Sequence, residues 1–232
     1  MSRSMYLTVA AGIMATSICG LSAQRGAEPP AAQGRGEARV TRPPLFFREE
    51  WKQVPGGGEH PVTPDAVSGQ NLELKLYGQD AKQIQLTGAA KDEGNPIHMW
   101  TGLCTMPCAA TLRDRNNFVD LSGLGRIRWV TKVSGLHQVR PLVKLADGTW
   151  LVGSQADGST RDWLVSEVLL AENRWLRVDI DKVVTKGNWI DKADLTRVDE
   201  VGFADLLPGS GHGPGGWSDV ASIEVFGTPV KR

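Results

Sequence analysis

Tryptophan is the residue type in this chain best suited to binding chemistry. The 232 residues include eight Trp but two Tyr. An indole ring offers a large flat apolar face, which can stack on the apolar face of a sugar ring or fill a core. Alternation with Ile127 places Trp129 in the core, whereas Trp150 and Trp217 follow Gly-containing turns. Those two, with Trp100, form the aromatic part of a predicted ligand-binding site.

Charged residues inside predicted strands are the second chemical feature. They are Arg113, Arg128, Lys132, Lys144 and Glu167. Side chains of neighbouring strands could line one face and donate hydrogen bonds to hydroxyl or carboxylate groups, and Arg suits forked contacts. The alternative is a solvated face with cross-strand ion pairs. Arg113, Arg128 and Lys144 are predicted as the polar members of the ligand site.

Catalysis by paired carboxylates is a further hypothesis, because a glycosidase needs two acids at a suitable separation. Glu167 and Asp205 are the pair that the sequence offers. Asp205 shares strand parity with Val201 and Phe203, so it is expected to be buried and to need a partner. The chain has no G-x-S-x-G, H-E-x-x-H or C-x-x-C motif, and His212 in its Gly-rich loop is expected to face solvent. Binding without catalysis is therefore favoured.

The elements that must position these residues are predicted to be strands. In "NLELKLYG", Leu72, Leu74 and Leu76 alternate with polar residues, which indicates a half-buried strand. Similar stretches recur between Gly-rich turns, which favours an all-β antiparallel sandwich or jelly roll. Asp147-Gly148 predicts a two-residue hairpin turn, with Leu145 opposite Trp150 and Lys144 opposite Leu151.

The N-terminal segment is predicted to be removed on export. Residues 1–23 have one basic residue, Arg3, an apolar run and small residues up to Ala23, as in a signal peptide. Lipidation at Cys19 is disfavoured by the preceding Ile18, and an uncleaved anchor is the other alternative. Residues 24–44 form a predicted flexible Pro/Gly/Arg-rich linker, and residues 45–232 a single domain. The expected location is secreted or periplasmic, with no membrane span in the mature form.

Cysteine content and charge limit the partners. In an oxidising compartment, Cys104 and Cys108 are predicted to form a disulfide. Structural zinc needs about four ligands, and besides this pair the chain has four scattered His. The formal net charge is zero, which argues against nucleic acid or an anionic membrane as partner.

Several stretches resemble galactose-binding-like jelly rolls, a group that includes many carbohydrate-binding modules and, more distantly, the domain of complex I assembly factors. They are "VDLSGLGRIRW", "VRPLVKLADGTWLVG", "VDEVGFADLLPG" and the terminal "SIEVFG". The chain also resembles secreted proteins of environmental bacteria. The resemblance implies a sandwich over residues 45 to 227, with the strand of "SIEVFG" beside the N-terminal one, and it supplies no ligand motif.

That adjacency suggests one cofactor. Extracellular jelly rolls often hold a structural Ca²⁺ through carboxylates and carbonyls. Candidate ligands are Glu49 or Glu50, Asp205, Asp219 and Glu224. No other cofactor is expected.

The sequence therefore predicts a secreted, non-catalytic binding protein whose partner is a poly- or oligosaccharide. One alternative is a glycan hydrolase or lyase on the same fold. The other is a structural or assembly subunit of a cell-envelope complex, with an envelope protein as partner.

Overall fold

The computed structural model describes residues 41–53 and 58–232, in which β-strands are connected by turns and three short 3₁₀ helices. The predicted signal segment lies outside these residues, as does most of the predicted linker. The strands are β1 (Leu45–Glu49), β2 (His60–Pro61), β3 (Leu72–Tyr77), β4 (Gln85–Thr87), β5 (His98–Trp100), β6 (Cys108–Asp114), β7 (Asn117–Asp120), β8 (Arg126–Val133), β9 (Arg140–Leu145), β10 (Trp150–Gly153), β11 (Leu164–Leu169), β12 (Trp175–Asp179), β13 (Val184–Ile190), β14 (Val198–Asp205), β15 (Ser218–Phe226) and β16 (Thr228–Lys231). The 3₁₀ helices are Pro64–Ala66, Ala81–Gln83 and Leu170–Glu172.

These strands form two antiparallel sheets, which confirms the predicted all-β sandwich of jelly-roll type. The front sheet has the order β11-β8-β15-β5-β4-β2, and β1 also pairs with β15. The back sheet has the order β13-β12-β10-β9-β14-β6-β3, extended by β7 and β16. The adjacency of the N-terminal strand and the "SIEVFG" strand is thus confirmed, with Glu49 opposite Ile223.

The main core lies between the sheets and follows the alternation of the sequence. One buried hydrophobic cluster contains residues of both sheets. Its members include Ile127, Trp129 and Val133 of the front sheet, and Val201 and Phe203 of the back sheet. The Trp129 indole N–H donates to Ser166 Oγ at 2.8 Å, which satisfies its polar edge inside the core. Successive strand residues alternate between faces, so the residues between these point away from the core.

The outer side of the back sheet carries a second apolar cluster. Trp150, Leu176 and Val178 pack there with Val183 and Leu206. Val178 is buried and Leu176 half-buried in this smaller cluster.

The hairpin between β9 and β10 differs from the prediction by one residue. Lys144 lies opposite Trp150, and the Leu145 amide donates to the Thr149 carbonyl, so the loop has three residues. Gly148 takes a left-handed φ of 87°, as in a turn followed by a bulge. A one-residue change of register moves side chains to the other face, so Lys144 and Trp150 share the outer side.

Cys104 and Cys108 are buried neighbours at the start of β6. The structure has both as free thiols. A hydrogen bond with Cys104, together with burial, raises the pKa of the Cys108 thiol well above its ordinary value. Their oxidation to a disulfide stays a prediction.

Candidate functional site

One end of the outer side of the front sheet carries a row of aromatic and charged residues. Asp219 of β15 lies opposite Trp100 of β5 on one side and Lys132 of β8 on the other. Directly opposed residues of antiparallel strands project to the same face. Their chain neighbours Met99 and Val220 are fully buried on the core side. The strands therefore present three side chains with binding chemistry side by side, above a packed core.

These residues form the floor and walls of an open cavity of about 250 Å³, here called the front cleft. It is lined by His98, Trp100, Lys132, Trp163, Trp217 and Asp219. His98 and Trp217 each lie two residues from a member of the row, on the same face. Trp163 precedes β11, the edge strand next to β8.

The aromatic rings of the front cleft contact one another at defined angles. The rings of Trp163 and His98 meet edge to face with centroids 5.0 Å apart. Trp100 and Trp217 are also perpendicular, at 6.2 Å. The Trp163 indole N–H donates to the Gly94 carbonyl at 3.2 Å, which fixes its ring. Perpendicular packing of this kind is favourable for aromatic pairs and holds the walls in place.

The Gly-rich loop of residues 206–217 covers part of Trp100. His212 stacks on the Trp100 ring at 4.7 Å, and its Nε2 lies 3.4 Å from a carboxylate oxygen of Glu59. The Gly102 backbone also lies against the Trp100 ring, where a Cβ would come 2.1 Å from the ring. The His212 side chain is 77% exposed, as the sequence predicts, and it also borders the front cleft.

Asp219 and His98 form a buried acid–imidazole pair at the floor of the front cleft. Asp219 Oδ1 and His98 Nε2 are 3.5 Å apart, while His98 Nδ1 lies 2.7 Å from the Pro96 carbonyl. Because that carbonyl can only accept, Nδ1 carries the proton and Nε2 of the neutral ring is left as an acceptor. Trp217 Nε1 donates to Asp219 Oδ2 at 3.2 Å. Oδ1 of Asp219 is buried without a hydrogen-bond partner among the described residues.

Burial governs the protonation of this pair. It raises the pKa of Asp219 to about 7, against smaller opposing effects of the Trp217 hydrogen bond and the Lys132 charge. Burial also lowers the pKa of His98, and Lys132 lowers it further, although the Pro96 hydrogen bond opposes them. Low dielectric surroundings disfavour the charged form of each group. Burial therefore favours the neutral form of both groups.

The residues predicted to bind ligand are distributed over three places. Trp100 and Trp217 meet in the front cleft. Arg128 lies on the same face but at the opposite end of β8, with its guanidinium 3.4 Å from Glu224. Arg113 and Lys144 lie on the outer side of the back sheet.

The back-sheet residues belong to a buried ion cluster. Glu200 accepts hydrogen bonds from Thr111 and Tyr77 at 2.7 and 2.8 Å, and from Lys144 and Lys75 at 3.1 and 3.2 Å. Burial pushes the pKa of Glu200 upward, but these hydrogen bonds outweigh it and hold the pKa below its ordinary value. A carboxylate that already accepts four hydrogen bonds has no acceptor site left for a ligand.

Arg113 and Trp150 are engaged in the same region. Arg113 Nε donates to Asp199 at 3.0 Å. The Trp150 ring packs edge to face on Tyr77 at 4.7 Å, with the Lys144 ammonium 5.5 Å above it. The structure therefore gives these three sequence-predicted ligand residues packing and ion-pair roles in the sheet, because the hairpin register turns Lys144 and Trp150 toward Glu200 and Tyr77.

The candidate catalytic pair does not come together. Glu167 lies on the outer side of the front sheet, 3.4 Å from Arg126, whereas Asp205 is fully buried at the core side of the back sheet. Asp205 does need a partner, as its parity indicates, and it has two: His137 Nδ1 at 2.7 Å and Thr101 Oγ1 at 2.8 Å. The two carboxyls belong to different sheets, so they share no cleft.

The candidate calcium ligands are also separated. Glu49 points toward the core side and accepts hydrogen bonds from the Ser68 and Gly69 amides at 2.7 and 3.0 Å. Glu224 lies on the outer side near Arg48 and Arg128, and Asp219 at the other end of β15. Glu50 forms an ion pair with Arg48. In the part of the chain that the structure describes, no three His, Cys, Asp or Glu side chains are arranged to hold a metal ion.

His98 and Trp163 are cleft residues that the sequence analysis did not select. A local signal exists for His98 but not for Trp163. "HMW" and "WSD" each place two polar or aromatic side chains two residues apart around an apolar or small residue, the pattern of a functional outer face. The local pattern does not show that β15 pairs with β5 and β8. That pairing brings His98 and Asp219 together from distant parts of the chain.

Comparisons with known proteins give no family for this chain. No protein-family model matches it, and no curated protein matches it. Among solved structures, a family 11 carbohydrate-binding module of a Clostridium thermocellum cellulosomal cellulase is 16% identical, covers 80% of this chain and 95% of that one, and has a TM-score of 0.43. A family 11 carbohydrate-binding module from Clostridium thermocellum in complex with a β-1,3-1,4-mixed-linked tetrasaccharide is 18% identical, covers 76% of this chain and 99% of that one, and has a TM-score of 0.44.

A third structure is the carbohydrate recognition domain of Emp47p. It is 8% identical, covers 73% of this chain and 94% of that one, and has a TM-score of 0.37. At such identities and scores these likenesses carry no weight for the ligand of this chain, so its function is inferred from the front cleft itself. None of the helices in the described part of the chain has the length and apolar content to span a membrane.

Proposed function

We propose that the protein is a secreted or periplasmic, non-catalytic carbohydrate-binding protein and that its ligand binds in the front cleft. The observation that carries this proposal is the combination in one open cavity of three indole rings with the polar groups of Lys132 and Asp219. Sugar rings have apolar faces and hydroxyl-bearing edges. A site for them needs flat apolar walls and a few fixed polar groups, which the front cleft offers.

The hydrogen-bonding capacity of the floor supports a ligand rich in hydroxyl groups. Asp219 borders the cleft, and its carboxyl accepts one hydrogen bond from Trp217 Nε1. Lys132, directly opposite Asp219 on the neighbouring strand β8, supplies hydrogen-bond donors on the same face.

Glycan-array screening followed by affinity electrophoresis with soluble polysaccharides tests the proposal. Trp163→Ala and Trp217→Ala should each weaken binding about tenfold, since each removes an aromatic contact of roughly 1–1.5 kcal/mol. Trp189→Ala is the matched control, because this indole is 42% exposed on the edge strand of the back sheet. The proposal fails if no glycan binds, or if Trp189→Ala weakens binding as much as the cleft variants while circular dichroism shows all three folded.

A glycan-cleaving enzyme is the second candidate. One observation favours it: a carboxyl with its pKa raised to about 7 lies at the floor of a cleft, as in many general acids. Glu59, a second carboxylate, borders the same cleft. New reducing ends or unsaturated products from a bound glycan, abolished by Asp219→Asn, would establish this function in place of the first.

A further inference from the structure

We propose that the sugar bound in the front cleft carries an anionic substituent, and that the ammonium of Lys132 pairs with it. This inference rests on the proposed function, because it names the class of sugar. It begins with the environment of Lys132. The β8–β15 register puts Lys132 directly opposite Asp219, yet the two form no ion pair. The Lys132 ammonium lies instead 6.0 Å from the Trp163 ring, on the wall of the cleft.

Two half-buried lysines of the back sheet are neutralised by a carboxylate. Lys75 and Lys144 each reach Glu200, at 3.2 and 3.1 Å. Within residues 41–53 and 58–232, by contrast, no carboxylate forms an ion pair with Lys132. A half-buried ammonium next to an aromatic wall, with its charge not balanced by the protein, is suited to an anion from outside.

The remaining titratable groups of the front cleft do not cancel this charge. Glu59 lies at the rim, 3.4 Å from His212, whose imidazole balances the carboxylate charge when it is protonated. Burial favours the neutral form of His98, although the hydrogen bond from Nδ1 to the Pro96 carbonyl opposes this. Asp219 is buried as well, and below about pH 7 it is mainly protonated. The net charge that a ligand meets at the floor of the cleft is therefore positive at mildly acidic pH.

An acidic sugar fits this arrangement better than a free small anion. A carboxylate or sulfate ester projects from the edge of a sugar ring. Its charge can reach Lys132 while the ring face lies against Trp163 or Trp217. A free anion would use the ammonium but leave the three indole rings without a function.

The arrangement also predicts the pH dependence of binding. An anionic ligand is repelled by ionised Asp219, so binding favours the protonated carboxyl and is linked to proton uptake. Affinity for an acidic sugar should therefore fall about tenfold between pH 6 and pH 8. Affinity for a neutral analogue should change less over the same range.

Isothermal titration calorimetry of the full chain with matched ligands tests this inference. The probes are uronic-acid oligosaccharides, their methyl esters as neutral analogues, and oligosaccharides of sulfated galactan. The wild-type protein should bind the acid or the sulfate ester about tenfold more tightly than the neutral form, because a hydrogen bond between charged groups is stronger than one between neutral groups. Whichever of the two anionic forms binds identifies the substituent.

Substitutions then assign the effect to named residues. Lys132→Met keeps the apolar stem and should reduce the acid-to-ester affinity ratio to about one, whereas Lys132→Arg should restore part of it. Asp219→Asn should remove the pH dependence of the ratio. Lys186→Met, an exposed lysine on β13, is the control and should leave the ratio as it is.

The outcomes separate this inference from the proposed function. If neutral glycans bind and neither anionic form is preferred, or if Lys132→Met leaves the ratio unchanged, the inference is wrong and the proposed function stands. If no glycan of any charge binds, both fail.

Discussion

At the residue scale, Asp219 makes the stability of the fold depend on pH. In the folded protein its pKa is raised to about 7 by burial, whereas an unfolded carboxyl titrates near 4. Between about pH 4 and 7 the folded state holds a proton that the unfolded chain has released. The contribution of this group to stability is therefore highest below pH 4, declines up to pH 7 and is constant above it.

Asp219→Asn should consequently stabilise the protein at pH 8, by up to about 4 kcal/mol, and leave it nearly unchanged at pH 4. Asparagine can still accept from Trp217 Nε1, so the local hydrogen bond is retained. Thermal or urea unfolding at the two pH values measures the difference. The exposed Asp181→Asn serves as control, and an equal shift for Asp219→Asn at both pH values would contradict the role of burial.

Individual residues of the candidate site were only partly predictable. Trp100 and Trp217 could be selected because Trp is chemically distinctive. Lys144 and Trp150 were expected beside them, but the hairpin register turns these two toward the Glu200 cluster of the other sheet. Asp219 could be predicted as a candidate calcium ligand but not as a cleft residue. Its burial depends on strands and loops that are far away in the sequence.

At the element scale, the two Asp-Gly pairs of the chain differ in backbone conformation. Gly148 has a φ of 87°, whereas Gly158 lies outside the left-handed region. An added Cβ meets nothing within 4 Å at either position. A substitution to alanine therefore probes the backbone alone.

Gly148→Ala should destabilise the protein by about 1 kcal/mol, because an L-residue with a side chain disfavours positive φ. Gly158→Ala should be neutral or stabilising by up to about 1 kcal/mol, because alanine restricts the unfolded chain. Urea unfolding of the two variants in parallel measures the difference. Equal effects would show that the three-residue loop of the β9–β10 hairpin is not formed in solution.

Strand faces were more predictable than strand partners. The alternation in "NLELKLYG" and "RIRWVTKV" gave the buried sides of β3 and β8, because burial repeats every two residues. The loop length at Asp147-Gly148 was misjudged, since two- and three-residue turns both accept this dipeptide. The order of strands across the sheets depends on packing between distant segments, and local pattern does not contain it.

At the scale of the whole molecule, export and oxidation remain to be measured. We expect the mature protein to begin at Gln24 and to carry a Cys104–Cys108 disulfide. Mass spectrometry of the protein recovered from the culture medium or periplasm, with and without reductant, gives both results. A chain that retains Met1 would overturn the cleavage site, and two thiols that alkylate in denaturant without reductant would overturn the disulfide.

The perpendicular and stacked rings of the front cleft have an optical consequence. Trp163, Trp217 and Trp100 each contact an ionisable neighbour: His98, Asp219 and His212, respectively. Indole emission responds to the polarity and charge next to the ring, so entry of a ligand or transfer of a proton in the cleft should alter the fluorescence of these three residues. The protein thus carries its own spectroscopic reporter at the site, and occupancy can be followed in solution without any attached dye.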